Sequence, residues 1–165
     1  MYVNEKIAEN KEKMYDLLIR KLRVITDGVD CSLSNLSNIS ALIYGILPEI
    51  NWAGFYLMKN GSLLLGPFGG KPACVKIEIG KGVCGTAVAE NKTMLIEDVH
   101  KFPGHIACDG ASNSEIVIPI RQNRKIVGVL DIDSPLLNRF DETDKLNLEK
   151  AVEIIEGVCD FNNIF

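Results

Sequence analysis

The stretch that decides the fold runs from residue 114 to residue 135 and reads SEIVIPIRQNRKIVGVLDIDSP. It contains two apolar runs, residues 116–120 and 126–132, with a short polar turn at Gln122 and Asn123 between them. Short runs rich in β-branched residues and joined by a tight turn are typical of a β-hairpin. Connections of hairpin length imply antiparallel pairing, so we expect these strands to lie side by side in an antiparallel sheet.

Further elements are predicted upstream and downstream of this hairpin. Short apolar or aromatic runs bounded by turn residues predict strands over residues 52–58, 62–65, 75–79 and 93–96. Apolar residues at three- and four-residue spacing, or a segment of small residues, predict helices over residues 4–25, 33–47, 82–91 and 142–160. Asp141 is expected to cap the last helix, with Asp144 at its third position. The pattern predicts an α+β fold in which N- and C-terminal helices pack on one face of a central antiparallel sheet.

Composition limits the classes of protein that the chain can belong to. It has 165 residues and a mass of 18.2 kDa, with 47% hydrophobic and 24% charged residues, which is ordinary for one globular domain. The net charge of -4 argues against nucleic acid as a partner. Charged residues near the N-terminus interrupt any signal peptide, and the longest uncharged run, residues 31–48, is too polar to span a bilayer. We therefore expect a cytoplasmic protein without a membrane partner.

Five cysteines need an explanation in a reducing compartment, where disulfides are rarely structural. Cys31 lies at the start of the predicted helix 33–47, and Cys159 lies on the apolar face of the last predicted helix. We expect both to be small core residues. Cys74, Cys84 and Cys108 differ because Gly or Pro brackets each of them on irregular segments. Reactive and binding groups concentrate in such segments, although the residue types alone leave inert packing open.

Two chemistries other than thiol redox can be tested against the spacing of these residues. Cys84, His100, His105 and Cys108 offer zinc ligands, but they lack the closely spaced Cys pair and the paired His of recognised zinc sites. A hydrolase with Cys108 as nucleophile and His105 as base is the second alternative, and no other protease signature accompanies it. The sequence disfavours both, and it predicts no metal and no cofactor.

Three carboxylates are the second group of candidate site residues. The two-residue period of a strand places Asp131 and Asp133 on one face, and Glu115 opens the neighbouring predicted strand. Convergence of three carboxylates is unfavourable unless a cation or a shared proton compensates for the charge. A ligand ammonium group would serve, as would a protonated carboxyl acting as a general acid. The alternative is that two of the three are turn or strand-end residues that face water.

Trp52 and Tyr56 are four residues apart on one predicted strand and therefore point to the same face. Such an aromatic pair is usually core. It is also a suitable wall for a small cationic or thioether ligand.

Taken together, these segments resemble the free methionine-(R)-sulfoxide reductases, stand-alone enzymes built on a GAF domain. The matching stretches are NWAGFYL (51–57), LGPF (65–68), GKPAC (70–74), GVCGT (82–86), DVH (98–100), FPGHIACD (102–109), SEIV (114–117) and LDIDSP (130–135). The three cysteine motifs make the resemblance specific, because GAF domains in general share the fold but not these cysteines. The resemblance implies that residues 1–165 form a single GAF domain, and homodimers are common in the family.

The resemblance also implies an oxidoreductase mechanism, with selectivity for the R epimer. Cys108 would be the nucleophile that attacks the sulfoxide sulfur of free methionine sulfoxide and becomes a sulfenic acid. Cys74 or Cys84 would then form a disulfide with it, which thioredoxin or a similar dithiol would reduce.

The family's other site residues shape the substrate pocket. Glu115, Asp131 and Asp133 would bind the substrate ammonium group and assist protonation of the sulfoxide, and Trp52 and Tyr56 would line the pocket around the sulfur. A GAF sensor that binds a small ligand without turning it over is the competing hypothesis, because one fold hosts many functions.

Overall fold

The computed structural model describes residues 11–105 and 110–164. The four α-helices of this part of the chain are α1 (Lys11–Thr26), α2 (Ser32–Ile46), α3 (Gly82–Glu90) and α4 (Glu142–Val158). The six strands are β1 (Trp52–Lys59), β2 (Ser62–Gly70), β3 (Lys76–Glu78), β4 (Met94–Ile96), β5 (Ser114–Gln122) and β6 (Lys125–Ser134). Two short 3-10 helices, at Val99–Lys101 after β4 and at Phe161–Asn163 after α4, complete the described elements.

The strands form one sheet in the order β3-β2-β1-β6-β5-β4, and every neighbouring pair is antiparallel. The predicted hairpin of residues 114–135 is confirmed as β5 and β6, which turn at Asn123 and Arg124, both with positive φ. This turn is one residue later than expected. β1 lies against the other side of β6, so the hairpin occupies the middle of the sheet.

Helices α1, α2 and α4 cover one face of the sheet, as the α+β prediction requires. The alternation of β1 sends Ala53, Phe55 and Leu57 into this helical core, and each of the three is at most 2% exposed. The predicted cap of α4 is confirmed as a capping box between Asp141 and Asp144.

The opposite face of the sheet carries a smaller apolar cluster under α3. Trp52 and Tyr56 point to this side, where they pack with Val83, Val117 and Val129. A Cβ on Gly54, which lies between the two aromatics, would overlap Phe68 and the backbone of β2, so close strand packing requires glycine here. This second face, rather than the helical core, holds the candidate site.

Several predicted boundaries shift in the structure. α1 begins at Lys11 among the described residues, and the part of its prediction before residue 11 lies outside them. β2 continues to Gly70 rather than ending at residue 65, because its pairing with β1 resumes at Phe68 after a register shift that leaves Gly66 and Pro67 without a paired residue. No helix in residues 11–105 and 110–164 combines the length and apolar character that crossing a membrane needs.

The prediction for Cys31 is wrong. Cys31 is the N-cap residue of α2 and is exposed, because it precedes the helical face that packs on the sheet. Its Sγ accepts a hydrogen bond from the Ser34 hydroxyl at 3.2 Å. Cys159 is 5% exposed and packs in the helical core, as expected.

Candidate functional site

A partly enclosed pocket, open to solvent on one side, lies between the α3 face of the sheet and the loops above it. The sequence-predicted residues that line it are Trp52, Tyr56, Cys84, Glu115, Asp131 and Asp133. Residues that sequence reasoning did not assign to it include Ile77, Lys81 and Ser112. Ile77 lies on β3, whereas Lys81 and Ser112 lie on loops, so tertiary packing brings these positions together and no local sequence signal could have found them.

Strand register places the three carboxylates at one point. Glu115 on β5 is directly opposite Asp133 on β6, and Asp131 lies two residues farther along the same face of β6. Glu115 and Asp131 are each 6% exposed. The convergence predicted from the sequence is therefore present, and the alternative that these residues face water is wrong for Glu115 and Asp131.

Burial dominates the electrostatics of these carboxyl groups. Desolvation, and then the charges of Asp131 and Asp133, raise the pKa of Glu115 well above its ordinary value. Burial also raises the pKa of Asp131. Burial thus favours the protonated form of both carboxyl groups over what is usual for an exposed carboxyl. Asp131 Oδ1 has no hydrogen-bond partner among the described residues, so it remains available to a ligand.

Cys84 lies in the first turn of α3, at the base of the pocket. Its side chain is 3% exposed and directs its S–H toward Glu115 Oε1, 3.9 Å away. Burial, followed by the charges of Asp131 and Glu115, raises the pKa of this thiol well above its ordinary value. Cys84 is therefore a protonated thiol at neutral pH and a weak nucleophile in this state.

Cys74 lies on the loop between β2 and β3, next to the pocket residue Ala73. Cys74 is disulfide-bonded, whereas Cys31, Cys84 and Cys159 are free thiols. Cys108 lies outside the described residues. The structure thus distinguishes the two cysteines that the sequence left equivalent: Cys84 faces the carboxylates as a thiol, and Cys74 already takes part in disulfide chemistry.

The aromatic pair organises the loop that carries Cys74. The Tyr56 hydroxyl donates to the Cys74 carbonyl at 2.9 Å, and Trp52 Nε1–H donates to the Lys71 carbonyl at 3.1 Å. Trp52 also stacks against Tyr56 and Phe68, with ring centroids 5.9 and 5.2 Å away. The pair is therefore both a wall of the pocket and the anchor of the loop over it.

The two histidines have different positions. His105 lines the pocket, with Nε2 3.9 Å from Glu115 Oε2, and burial lowers its pKa. His100 is exposed and hydrogen-bonds Asn113 Oδ1 at 2.8 Å. Among the described residues, Cys84, His100 and His105 do not form a metal-ligand cluster, and Cys108, the fourth residue of the zinc set considered from the sequence, lies outside them.

Comparison with known proteins places this site in a family. A model of the GAF domain matches residues 35–155. The free methionine-R-sulfoxide reductase of Escherichia coli is 52% identical over 149 residues, which cover 90% of this chain and 90% of the relative.

Two solved structures with bound substrate have the same fold. The structure of fRMsr of Staphylococcus aureus in complex with substrate has a TM-score of 0.85 and 52% identity, and covers 88% of this chain and 95% of the other. The free methionine-R-sulfoxide reductase of Neisseria meningitidis, in complex with its substrate, has a TM-score of 0.88 and 38% identity, with 91% and 90% of the two chains covered. The sheet, the pocket and these similarities together show that the chain has the GAF fold and belongs to the free methionine-R-sulfoxide reductases, a family of oxidoreductases.

Proposed function

We propose that this protein reduces free L-methionine-(R)-sulfoxide to L-methionine through thiol chemistry. The observation that carries the proposal is the pocket itself: buried carboxyl groups and an aromatic wall line it together with Cys84, and Cys74 directly follows the lining residue Ala73. The names of the E. coli and N. meningitidis relatives supply the substrate and its epimer.

Substrate recognition follows from the charge of the pocket. Asp131 and Asp133 accept hydrogen bonds from the substrate ammonium group, which neutralises the negative charge that burial makes unfavourable. Trp52 and Tyr56 pack against the thioether end of the side chain. A methionine sulfoxide within a polypeptide has no ammonium group there, so it would leave these carboxylates without a partner. The pocket therefore favours the free amino acid.

The proposed reaction begins at Cys108. Its thiolate attacks the sulfoxide sulfur while Glu115, whose pKa is raised by burial, donates a proton to the sulfoxide oxygen. The S–O bond of the substrate breaks and the oxygen ends on Cys108 as a sulfenic acid. The sulfoxide is thereby reduced by two electrons to methionine, and the thiol is oxidised by the same two electrons.

Cys74 is the better candidate for the second step. Its thiol attacks the Cys108 sulfur, releases water and forms a disulfide. Two observations support Cys74 over Cys84: Cys74 is disulfide-bonded in the structure, and Cys84 is a buried thiol whose pKa is raised. A dithiol reductant, of which thioredoxin is the protein example, then restores both thiols by disulfide exchange.

The test is a turnover assay with dithiothreitol, supplied separately with the R and the S epimer of free methionine sulfoxide and read as methionine by chromatography. We expect methionine from the R epimer alone. Cys108→Ser should abolish it, and Cys159→Ser, which changes a thiol in the helical core, serves as the matched control. Substantial turnover by the Cys108→Ser variant would refute the mechanism. Absence of methionine from folded, reduced wild-type protein would favour the ligand sensor instead.

A second measurement separates the two cysteines of the resolving step. After one turnover without reductant, wild-type protein should retain no sulfenic acid reactive toward dimedone, because Cys74 has consumed it. Cys74→Ser should accumulate the dimedone adduct on Cys108. If only Cys84→Ser accumulates the adduct, Cys84 rather than Cys74 is the resolving residue.

A further inference from the structure

The base of the pocket brings three potential metal ligands together. The Cys84 Sγ, one oxygen of Glu115 and one oxygen of Asp131 all lie within 4.8 Å of one another, and all three residues are buried. The sequence did not suggest this set, because its members come from α3, β5 and β6 and are separated by up to 47 positions, from residue 84 to residue 131. The register of the sheet and the packing of α3 across it together bring them to one point.

We propose that the reduced, substrate-free protein binds one Zn²⁺ ion at this point, through the Cys84 thiolate and the carboxylates of Glu115 and Asp131. Ligands of a tetrahedral zinc ion with Zn–S near 2.3 Å and Zn–O near 2.1 Å are about 3.6 Å apart. The Cys84 Sγ is 3.9 Å from Glu115 Oε1, so side-chain movements of a few tenths of an ångström complete this edge. Three protein ligands would leave the fourth tetrahedral position to a water molecule.

An independent observation points to a ligand at the same place. Asp131 is 6% exposed, yet its Oδ1 has no hydrogen-bond partner among the described residues. A buried carboxylate oxygen without a partner is costly, and a metal ion would satisfy it directly. Ordinary packing of an α+β domain gives no reason to keep such an atom beside a thiol and a second carboxyl group.

The local charge favours a cation over further protonation alone. Among the described residues that line the pocket, Lys81 and His105 are the basic ones; Lys81 is exposed at the rim, and burial lowers the pKa of His105. Neither therefore places a fixed positive charge against the carboxyl groups. A divalent ion bound by the ionised forms of Cys84, Glu115 and Asp131 would offset two of their three negative charges, and its binding would release the protons that these groups carry.

The donor set also selects the metal. One thiolate with two carboxylates suits Zn²⁺, which accepts sulfur, nitrogen and oxygen ligands. Mg²⁺ and Ca²⁺ require oxygen ligands throughout, and they would need more of them than this site provides. The site should therefore discriminate strongly against both ions.

Occupation of the site has a consequence for catalysis that rests on the proposed function. The metal would coordinate Asp131 and also Glu115, the proposed proton donor. Zinc and the substrate ammonium group therefore cannot be bound at the same time. Zinc should act as a reversible inhibitor that competes with substrate, raising the apparent KM with little change in kcat.

The test uses Co²⁺ as a spectroscopic substitute for Zn²⁺, and its readout does not depend on turnover. Co²⁺ added to reduced wild-type protein should give a thiolate-to-metal charge-transfer band in the near ultraviolet, and Zn²⁺ should abolish this band by displacement. Cys84→Ser should remove the band. Cys159→Ser, the other buried thiol, should keep it. Circular dichroism verifies that each variant is folded.

Two further variants make the assignment specific. Asp131→Asn should weaken Co²⁺ binding at least tenfold while a band of the same energy remains, because the thiolate is retained. Cys108→Ser should bind normally. The proposal is overturned if no band forms, if the band survives Cys84→Ser, or if it disappears in Cys108→Ser. Turnover by the wild-type protein is measured separately in EDTA. If turnover occurs but the Co²⁺ band fails to form, the metal site is wrong and the proposed reaction stands.

Discussion

Neutralising Asp131 should make the protein more stable at pH 8 while damaging the site. Burial raises the pKa of Asp131 from 3.8 to about 6. A buried carboxyl group of this kind has a higher pKa in the folded state than in the unfolded state. Its contribution to stability is then fully present at pH values below the unfolded-state pKa. It loses that contribution as the pH rises through the folded pKa. At pH 8 wild-type protein therefore carries the full cost of the buried carboxylate.

The magnitude follows from the size of the shift. Each pKa unit corresponds to about 1.4 kcal/mol, so a shift of about two units costs about 3 kcal/mol above pH 6. Asp131→Asn removes this cost, and the new amide offsets part of the gain because its polar atoms are also buried. We expect a net increase of about 1–3 kcal/mol in the free energy of unfolding at pH 8, and an increase near zero at pH 4.

The assay is urea unfolding of both proteins at pH 4 and pH 8, in EDTA and a phosphine reductant so that neither metal nor disulfide contributes. Asp27→Asn, which neutralises an exposed carboxyl group after α1, is the matched control and should change stability little at either pH. A difference between Asp131→Asn and wild type that is the same at both pH values, or a loss of stability at pH 8, would refute the electrostatic argument. The turnover assay should show that the stabilised variant is severely impaired, since it lacks an ammonium ligand.

Three further predictions concern residues outside the pocket or at its edge. Exposed Cys31, whose pKa is lowered by hydrogen bonds, should react rapidly with a thiol reagent such as 5,5′-dithiobis(2-nitrobenzoate), and buried Cys84 should react slowly. Loss of the fast phase in Cys31→Ser would confirm this assignment, and persistence of the fast phase would contradict it. Tyr15→Phe removes a buried 2.6 Å hydrogen bond to Asp144 and should cost about 1.5–3 kcal/mol in urea unfolding, whereas a cost under about 0.5 kcal/mol would show that the bond contributes little. Gly54→Ala should prevent native folding or lower the thermal midpoint by more than about 10 °C, because its methyl group meets the backbone of β2; a midpoint close to wild type would show that the two strands can separate.

Local patterns predicted much of this fold because the relevant interactions are local. The hairpin of residues 114–135, the capping box at Asp141 and the shared face of Trp52 and Tyr56 follow from two-residue periodicity or from contacts within one turn. Cys31 was predicted wrongly because its position one residue before a helix does not reveal which way the helix faces. Burial at such a boundary depends on tertiary packing, which a single sequence does not encode locally.

The site was predictable to the extent that it lies on two neighbouring strands. Period two placed Asp131 and Asp133 together, and the hairpin brought Glu115 beside them. The same reasoning could not place Cys84 against Glu115, because that contact depends on how α3 packs across the sheet. It also could not show that Asp131 Oδ1 is without a partner, which is a property of the assembled pocket.

One face of the sheet contributes most of the apolar packing, and the other face carries the candidate site. The face under α1, α2 and α4 buries a continuous apolar cluster, whereas the face under α3 buries carboxyl groups that are unfavourable when ionised. The first face must offset the cost of the second, and any cation that enters the pocket reduces that cost. Substrate ammonium and Zn²⁺ should therefore each raise the thermal midpoint of the wild-type protein more at pH 8 than at pH 5, because the carboxyl groups are more fully ionised at the higher pH. If the stabilisation by both ligands were independent of pH, the carboxyl charge would not be what draws cations to this face.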